Sequence, residues 1–267
     1  MGNKPADFNS LQFVRDIFFT SNDMHVDARF VIRDGKRHPL AVICPGGGYE
    51  TVCSFIEGLP FARKLNEKGI SALIVYYRVR EKAHYPAPLE DLARAIGLIL
   101  KRKDRYLLDP EGYSLWGSSA GGHLAASFGL EDRGWGKYGL PKPGTVILAY
   151  PVISMRKELT HMGSHDNLLG LDASSDLEAF ASVDEQVGED YPPAYIWCGE
   201  ADQTVQPENT KRMARALEEK GVPFFLETFP GIDHGVGPGT GTAAEGWIDR
   251  AVSFWLEQRQ QRQNASE

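Results

Sequence analysis

A chain of 267 residues is long enough to bury a large core, and its 42% hydrophobic and 24% charged residues are those of an ordinary globular protein. A formal net charge of -7 excludes the concentrated basic surface that a phosphate backbone requires, and the run KRKDR at 101–105 reads as the solvated end of a helix. Cys44, Cys53 and Cys198 lack any disulfide-framework or CxxC spacing, the opening MGNKPADFNS is not a secretory signal, and no apolar run approaches the roughly 20 residues of a membrane span, so a cytoplasmic protein without nucleic-acid or membrane partner is expected.

In chain order, FVRDIFF and MHVDARFVIRDGKRHPLAV read as strands joined by turns, with RDGKR as a hairpin-type signal and an antiparallel start to the sheet. From about residue 40 the pattern changes. The apolar runs LAVIC (40–44), ALIVYY (72–77), YSLW (113–116), TVILAY (145–150), AYIWC (194–198) and FFLETF (224–229) are short and mostly uninterrupted, as strands covered on both faces by helices are. Helical spacing lies between them: Leu89, Leu92, Ala93, Ile96 and Ile99; Met213, Ala216 and Leu217; and finally Trp247, Ile248, Ala251, Phe254 and Trp255. Gly69 after LNEK and Gly221 after LEEK are helix-ending glycines. Strict alternation predicts an α/β fold with a mostly parallel twisted sheet, helices on both faces and right-handed crossovers. The stretch 151–193 is too long for a simple connection and shows one helix signal, SSDLEAF. It reads as a cap-like insertion in a single domain spanning 1–267.

WGSSAGG at 116–122 carries the chemistry. GSSAG matches G-x-S-x-G with Ser119 at its centre, after a strand and before the helical GHLAASFGL. A serine on so sharp a turn sits in strained backbone, and the residues two before and two after must be small; Gly117 and Gly121 are. Ser118 would be flanked by Trp116 and Ala120 and fails this requirement.

A serine hydroxyl needs an adjacent base, itself oriented by a carboxylate. CGEADQTV after AYIWC places Asp202 in the loop at that strand's end, and FPGIDHGVG after FFLETF places His234 in the loop beyond the next. Both loops fall at the carboxyl edge of the sheet, with the serine turn. Glu200 is a rival acid closer to its strand; Asp233 adjoins the histidine and reads as a turn residue; His123, one helical turn past Ser119, reads as a support beneath the site. The catalytic candidates are therefore Ser119, Asp202 and His234. CPGGGYE after LAVIC exposes backbone N–H groups, so Gly47 or Gly48, with Ala120 after the nucleophile, are the candidate oxyanion donors.

With these residues in place the chain resembles the α/β-hydrolases, and more narrowly the small serine esterases of the hormone-sensitive-lipase-like group. Within it, the chain is most similar to bacterial carbohydrate esterases of the acetylxylan and feruloyl type. The resemblance runs through CPGGGYE, YYRV, YPAPLEDLARAI, LDPEGYSLWGSSAGGHLAAS, AYPVIS, HDNLLG, CGEADQTVQPENT and GVPFFLETFPGIDHGVG, nearly everything after residue 40. Pro45 stands where the lipase group usually has histidine, which favours the carbohydrate-esterase branch.

The resemblance implies hydrolysis of a small acyl ester, acetyl above others, of a sugar such as an acetylated xylo-oligosaccharide. The route is an acyl-enzyme without metal or cofactor. Substrate contacts are expected from Tyr49, beside the glycine loop, and from His161, His165 and Asn167 in the insertion. The competing readings are an amidase, a formamidase or a peptidase on the same residues, and a non-catalytic ligand-binding relative. Oligomeric state is left open by the sequence, a homo-oligomer included.

Overall fold

The computed structural model describes residues 18–20 and 24–266. Among the described residues eight strands form one sheet: β1 (Phe18–Thr20), β2 (His25–Asp27), β3 (His38–Cys44), β4 (Ser71–Tyr76), β5 (Leu108–Ser118), β6 (Thr145–Ala149), β7 (Ala194–Gly199) and β8 (Phe224–Phe229). Their spatial order is β1-β2-β4-β3-β5-β6-β7-β8. Pairing is parallel from β4 to β8, while β1 on β2 and β2 on β4 are antiparallel. The expected architecture is the observed one.

The N-terminal detail differs. FVRDIFF lies outside the described residues except for Phe18 and Phe19, which belong to β1. RDGKR makes a turn, with Gly35 at φ +83°, but it closes no hairpin. The strands on either side of it, β2 and β3, flank β4 instead of each other. A turn signal specifies that the chain reverses, not which strand it then pairs with.

Helices cover both faces. On one lie α2 (Leu59–Glu67) and α8 (Trp247–Ser266); on the other α3 (Ala87–Leu100), α4 (Ser119–Gly129) and α7 (Glu208–Glu219). The short α1 (Ser54–Glu57) follows β3, and a one-turn 3-10 helix spans Arg80–Lys82. Period-two alternation divides the strand residues between two cores. Val42, Leu73, Leu115, Leu148 and Ile196 face α3, α4 and α7, while Ile43, Ile74, Trp116, Ile147 and Trp197 face Phe61, Trp247 and Trp255. Residues buried in both directions explain the uninterrupted apolar runs. β8, at the sheet edge, leaves Phe225 and Leu226 exposed.

Between β6 and β7, residues 151–193 hold two helices where one was expected, α5 (Met162–Leu169) and α6 (Ser175–Ala181), and a 3-10 turn at Val183–Glu185. The unforeseen α5 is capped by a histidine: the His161 ring Nδ1 accepts the Ser164 N–H at 3.2 Å. Its sequence MGSHDNLL presents little apolar periodicity, so packing and the cap sustain it. The segment is tied down rather than loose. Asn209 Oδ1 accepts the N–H groups of Ile153 and Ser154, Tyr85 N–H reaches the Leu168 carbonyl at 2.8 Å, and the Arg133 guanidinium lies 3.9 Å above the Phe180 ring. Among the described residues no helix is long and apolar enough to cross a membrane.

Candidate active site

Parallel strands β3, β5, β7 and β8 all end at one edge, and the loop or helix start after each delivers one part of the site. Ser119 opens α4 directly after β5, with φ +51°. This left-handed backbone costs a non-glycine residue about 1–3 kcal/mol, and it lifts the side chain clear of both strand and helix. The small neighbours permit it. A Cβ on Gly121 would fall inside contact of the Cys44 and Pro45 carbonyls. All eleven residues of α4 are buried, so it runs as close to the sheet as its Ala and Gly content allows.

The Ser119 hydroxyl lies 2.9 Å from His234 Nε2, and His234 Nδ1 lies 2.7 Å from Asp202 Oδ2. Asp202 is buried, and its other oxygen accepts the N–H groups of Thr204 (2.9 Å) and Val205 (2.8 Å). Those bonds fix the carboxylate with Oδ2 toward the imidazole. Nδ1 therefore carries the proton it donates to Asp202, which leaves Nε2 as acceptor for the serine O–H. The rivals do other things: Glu200 accepts the Thr228 hydroxyl at 3.0 Å, and Asp233 accepts the His234 backbone N–H at 2.7 Å.

The glycine loop folds back on itself, the Gly47 carbonyl accepting from Glu50 N–H (2.9 Å) and Thr51 N–H (3.0 Å). Gly47 has φ +122°, and a Cβ there would overlap Thr51. The Gly46 N–H is engaged by the Glu57 carboxylate at 2.6 Å. Gly47 and Gly48 thus remain the loop's candidate donors, with the Ala120 N–H, in the first turn at the positive end of α4, as the candidate from the other side of the elbow.

The expected substrate contacts separate. His161 stands beside the loop: a Cβ on Gly48 would lie 3.5 Å from its Cε1. Burial and the nearby His234 hold its imidazole below the usual range. With Nδ1 accepting the helix cap, its remaining proton sits on Nε2. Asn167 is turned to the loop, its amide donating to the Gly48 carbonyl at 2.9 Å. His165 is a correction. It is fully buried, Nδ1 against Asp166 Oδ1 (2.8 Å) and Nε2 against Glu178 Oε1 (3.2 Å), so no ring nitrogen is left for a ligand. Tyr49 is buried, its hydroxyl donating to His123 Nδ1 at 2.9 Å, and its ring borders a small cleft with Tyr85, His123, Leu124 and Leu168.

Two residues escaped the sequence reading. Glu57 is 4% exposed, with Gly46 N–H on one carboxylate oxygen and the Tyr150 hydroxyl on the other at 2.9 Å. Tyr150 follows β6 at φ +38° and sets its ring edge-on to His234, centroids 4.9 Å apart. Placed directly after a core strand, Tyr150 carried a signal of position; Glu57, in SFIEGLP, carried none.

A family model described as BD-FAE matches residues 32–217. Endo-1,4-beta-xylanase B of Butyrivibrio fibrisolvens is 34% identical over 80% of the chain and 35% of its own length; an acetylxylan esterase of Xylanibacter ruminicola is 28% identical over 80% and 44%. The chain thus spans less than half the length of these curated relatives. A solved acetyl ester-xyloside bifunctional hydrolase from Caldicellulosiruptor lactoaceticus superposes with a TM-score of 0.80 at 31% identity, covering 88% of each chain. With a serine elbow, a glycine loop and an edge-clustered Asp–His–Ser line on an eight-stranded sheet, the chain belongs to the BD-FAE family and has the α/β-hydrolase fold.

Proposed function

We propose that this chain is a serine esterase that removes acetyl groups from acetylated xylo-oligosaccharides through an acyl-enzyme. The observation that carries the reading is the unbroken line Asp202–His234–Ser119, at 2.7 and 2.9 Å. Ser119 Oγ attacks the ester carbonyl as its proton passes to His234 Nε2, and Asp202 holds the imidazolium that forms. Negative charge moves to the carbonyl oxygen, where the N–H groups of Gly47 or Gly48 and of Ala120 stabilise it. The tetrahedral adduct collapses, His234 returns its proton to the departing sugar oxygen, and acyl-Ser119 remains. A water then attacks the acyl carbon as its proton passes to His234, and collapse of that adduct frees acetate while His234 hands the proton to Ser119 Oγ. These steps ask for no metal or cofactor.

The insertion 151–193 acts as a cap over the carboxyl edge in this reading. Its bond from Asn167 to Gly48 supports that placement. His161 Nε2–H is the cap's donor toward a sugar hydroxyl. The acetylxylan and acetyl-xyloside relatives support the substrate class. The three free cysteines favour a reducing, cytoplasmic setting.

The test is acetate release from acetylated xylo-oligosaccharides beside an aryl acetate. Release from the sugar by the wild type, absent from Ser119→Ala, is the expected result. Hydrolysis of the aryl ester alone would retain an esterase and overturn the sugar assignment.

A further inference from the structure

Taking a carboxylate out of water is costly unless each oxygen finds a donor. The Glu57 donors come from places far apart in the chain. Oε2 accepts Gly46 N–H from the glycine loop, and Oε1 accepts the hydroxyl of Tyr150 at the end of β6. The Tyr150 oxygen in turn accepts Gly237 N–H, at 3.1 Å, from the loop that carries His234. One carboxylate thereby bonds the oxyanion loop directly and the histidine loop through a single phenol. Gly46 is the spacer between it and the nucleophile: a Cβ there would lie 2.7 Å from both Glu57 Oε2 and Ser119 Cβ.

We propose that Glu57 is a positioning residue of this site. It locks the glycine loop and the His234 loop in register with Ser119. Its negative charge, with that of Asp202, stabilises the imidazolium that His234 becomes on taking the serine proton. The inference rests on the esterase reading for its kinetic consequence alone. The charges around the two groups are consistent with it. Glu57 faces Tyr150, Cys53, Tyr77 and His234, and burial makes Tyr150, Cys53 and Tyr77 weaker acids than usual, so these three stay neutral. His234 faces Asp202, Tyr150 and the half-buried His161. Burial leaves the Glu57 carboxyl above its ordinary value, and Gly46, Tyr150 and His234, which favour the anion, oppose that rise in part.

The experiment compares Glu57→Gln with wild type. By hydrogen exchange, the Gly46 and Gly237 amides, held by the carboxylate and by its phenol, are expected to exchange several-fold faster once the anion is removed. This readout needs no turnover, so a failure of the esterase reading, seen as no aryl-acetate hydrolysis by wild type, stays distinct from a failure here. In kinetics, Glu57→Gln lowers kcat by about tenfold or more with KM little changed. A folded Glu57→Gln with unchanged Gly46 and Gly237 exchange and wild-type kcat overturns the proposal. Should that variant fail to fold, Tyr150→Phe keeps the carboxylate and cuts its link to Gly237. It is expected to lose kcat at constant KM, and wild-type kcat in it would overturn the positioning role.

Discussion

His123 sits one helical turn beyond Ser119 and joins three parts of the molecule. Its Nδ1 accepts the Tyr49 hydroxyl and its Nε2 donates to the Ala181 carbonyl at 2.8 Å, linking α4, the glycine loop and α6. That pattern requires the neutral ring, and burial lowers its pKa to about 4 from the ordinary 6.5. The unfolded chain therefore binds a proton that the folded chain refuses between those values. Stability is full above about pH 6.5 and falls as pH drops toward 4, by about 3 kcal/mol from this group. Urea unfolding at pH 7 and pH 4.5 should show a markedly smaller difference in His123→Gln, whose amide can both donate and accept. An equal loss in variant and wild type would assign the acid sensitivity elsewhere. The imidazole was legible as a support beneath the site because of its spacing from Ser119; its partners, 58 and 74 residues distant, were not.

At the scale of elements, the turn from β5 into α4 depends on backbone proximity. Gly121→Ala would drive a methyl group into the Cys44 and Pro45 carbonyls, which cannot yield without moving β3. Loss of about 3 kcal/mol or more is expected from such overpacking, read by thermal or urea unfolding, with activity lost alongside. A near-wild-type midpoint would mean that the elbow is looser than its contacts imply. The strands and main helices were readable because burial on two faces leaves uninterrupted apolar runs, and one-sided burial leaves 3.6-residue spacing. What was not readable has two causes. The partner of β2 and the burial of His165 depend on residues distant in the chain, in β4 and at Glu178, whereas α5 is local but opens on a histidine, which is not among the usual helix caps.

Across the whole molecule, the parallel sheet performs one task for the site. It brings the ends of β3, β5, β7 and β8 to a common edge, so that Gly47, Ser119, Asp202 and His234 meet from four distant stretches of chain. Chain order and strand-end position made those residues legible. Glu57 was hidden because a carboxylate among apolar residues in a short helix looks solvated until the Tyr150 and Gly46 donors close around it. The central claim is that Ser119 is the nucleophile of this arrangement. The most direct measurement combines aryl-acetate turnover with mass mapping of a fluorophosphonate adduct in wild type and Ser119→Ala. One adduct on Ser119, with turnover reduced roughly 10³-fold or more in the variant, is the predicted result. A labelled peptide elsewhere in the chain, or a variant that keeps most of the wild-type rate, would contradict it.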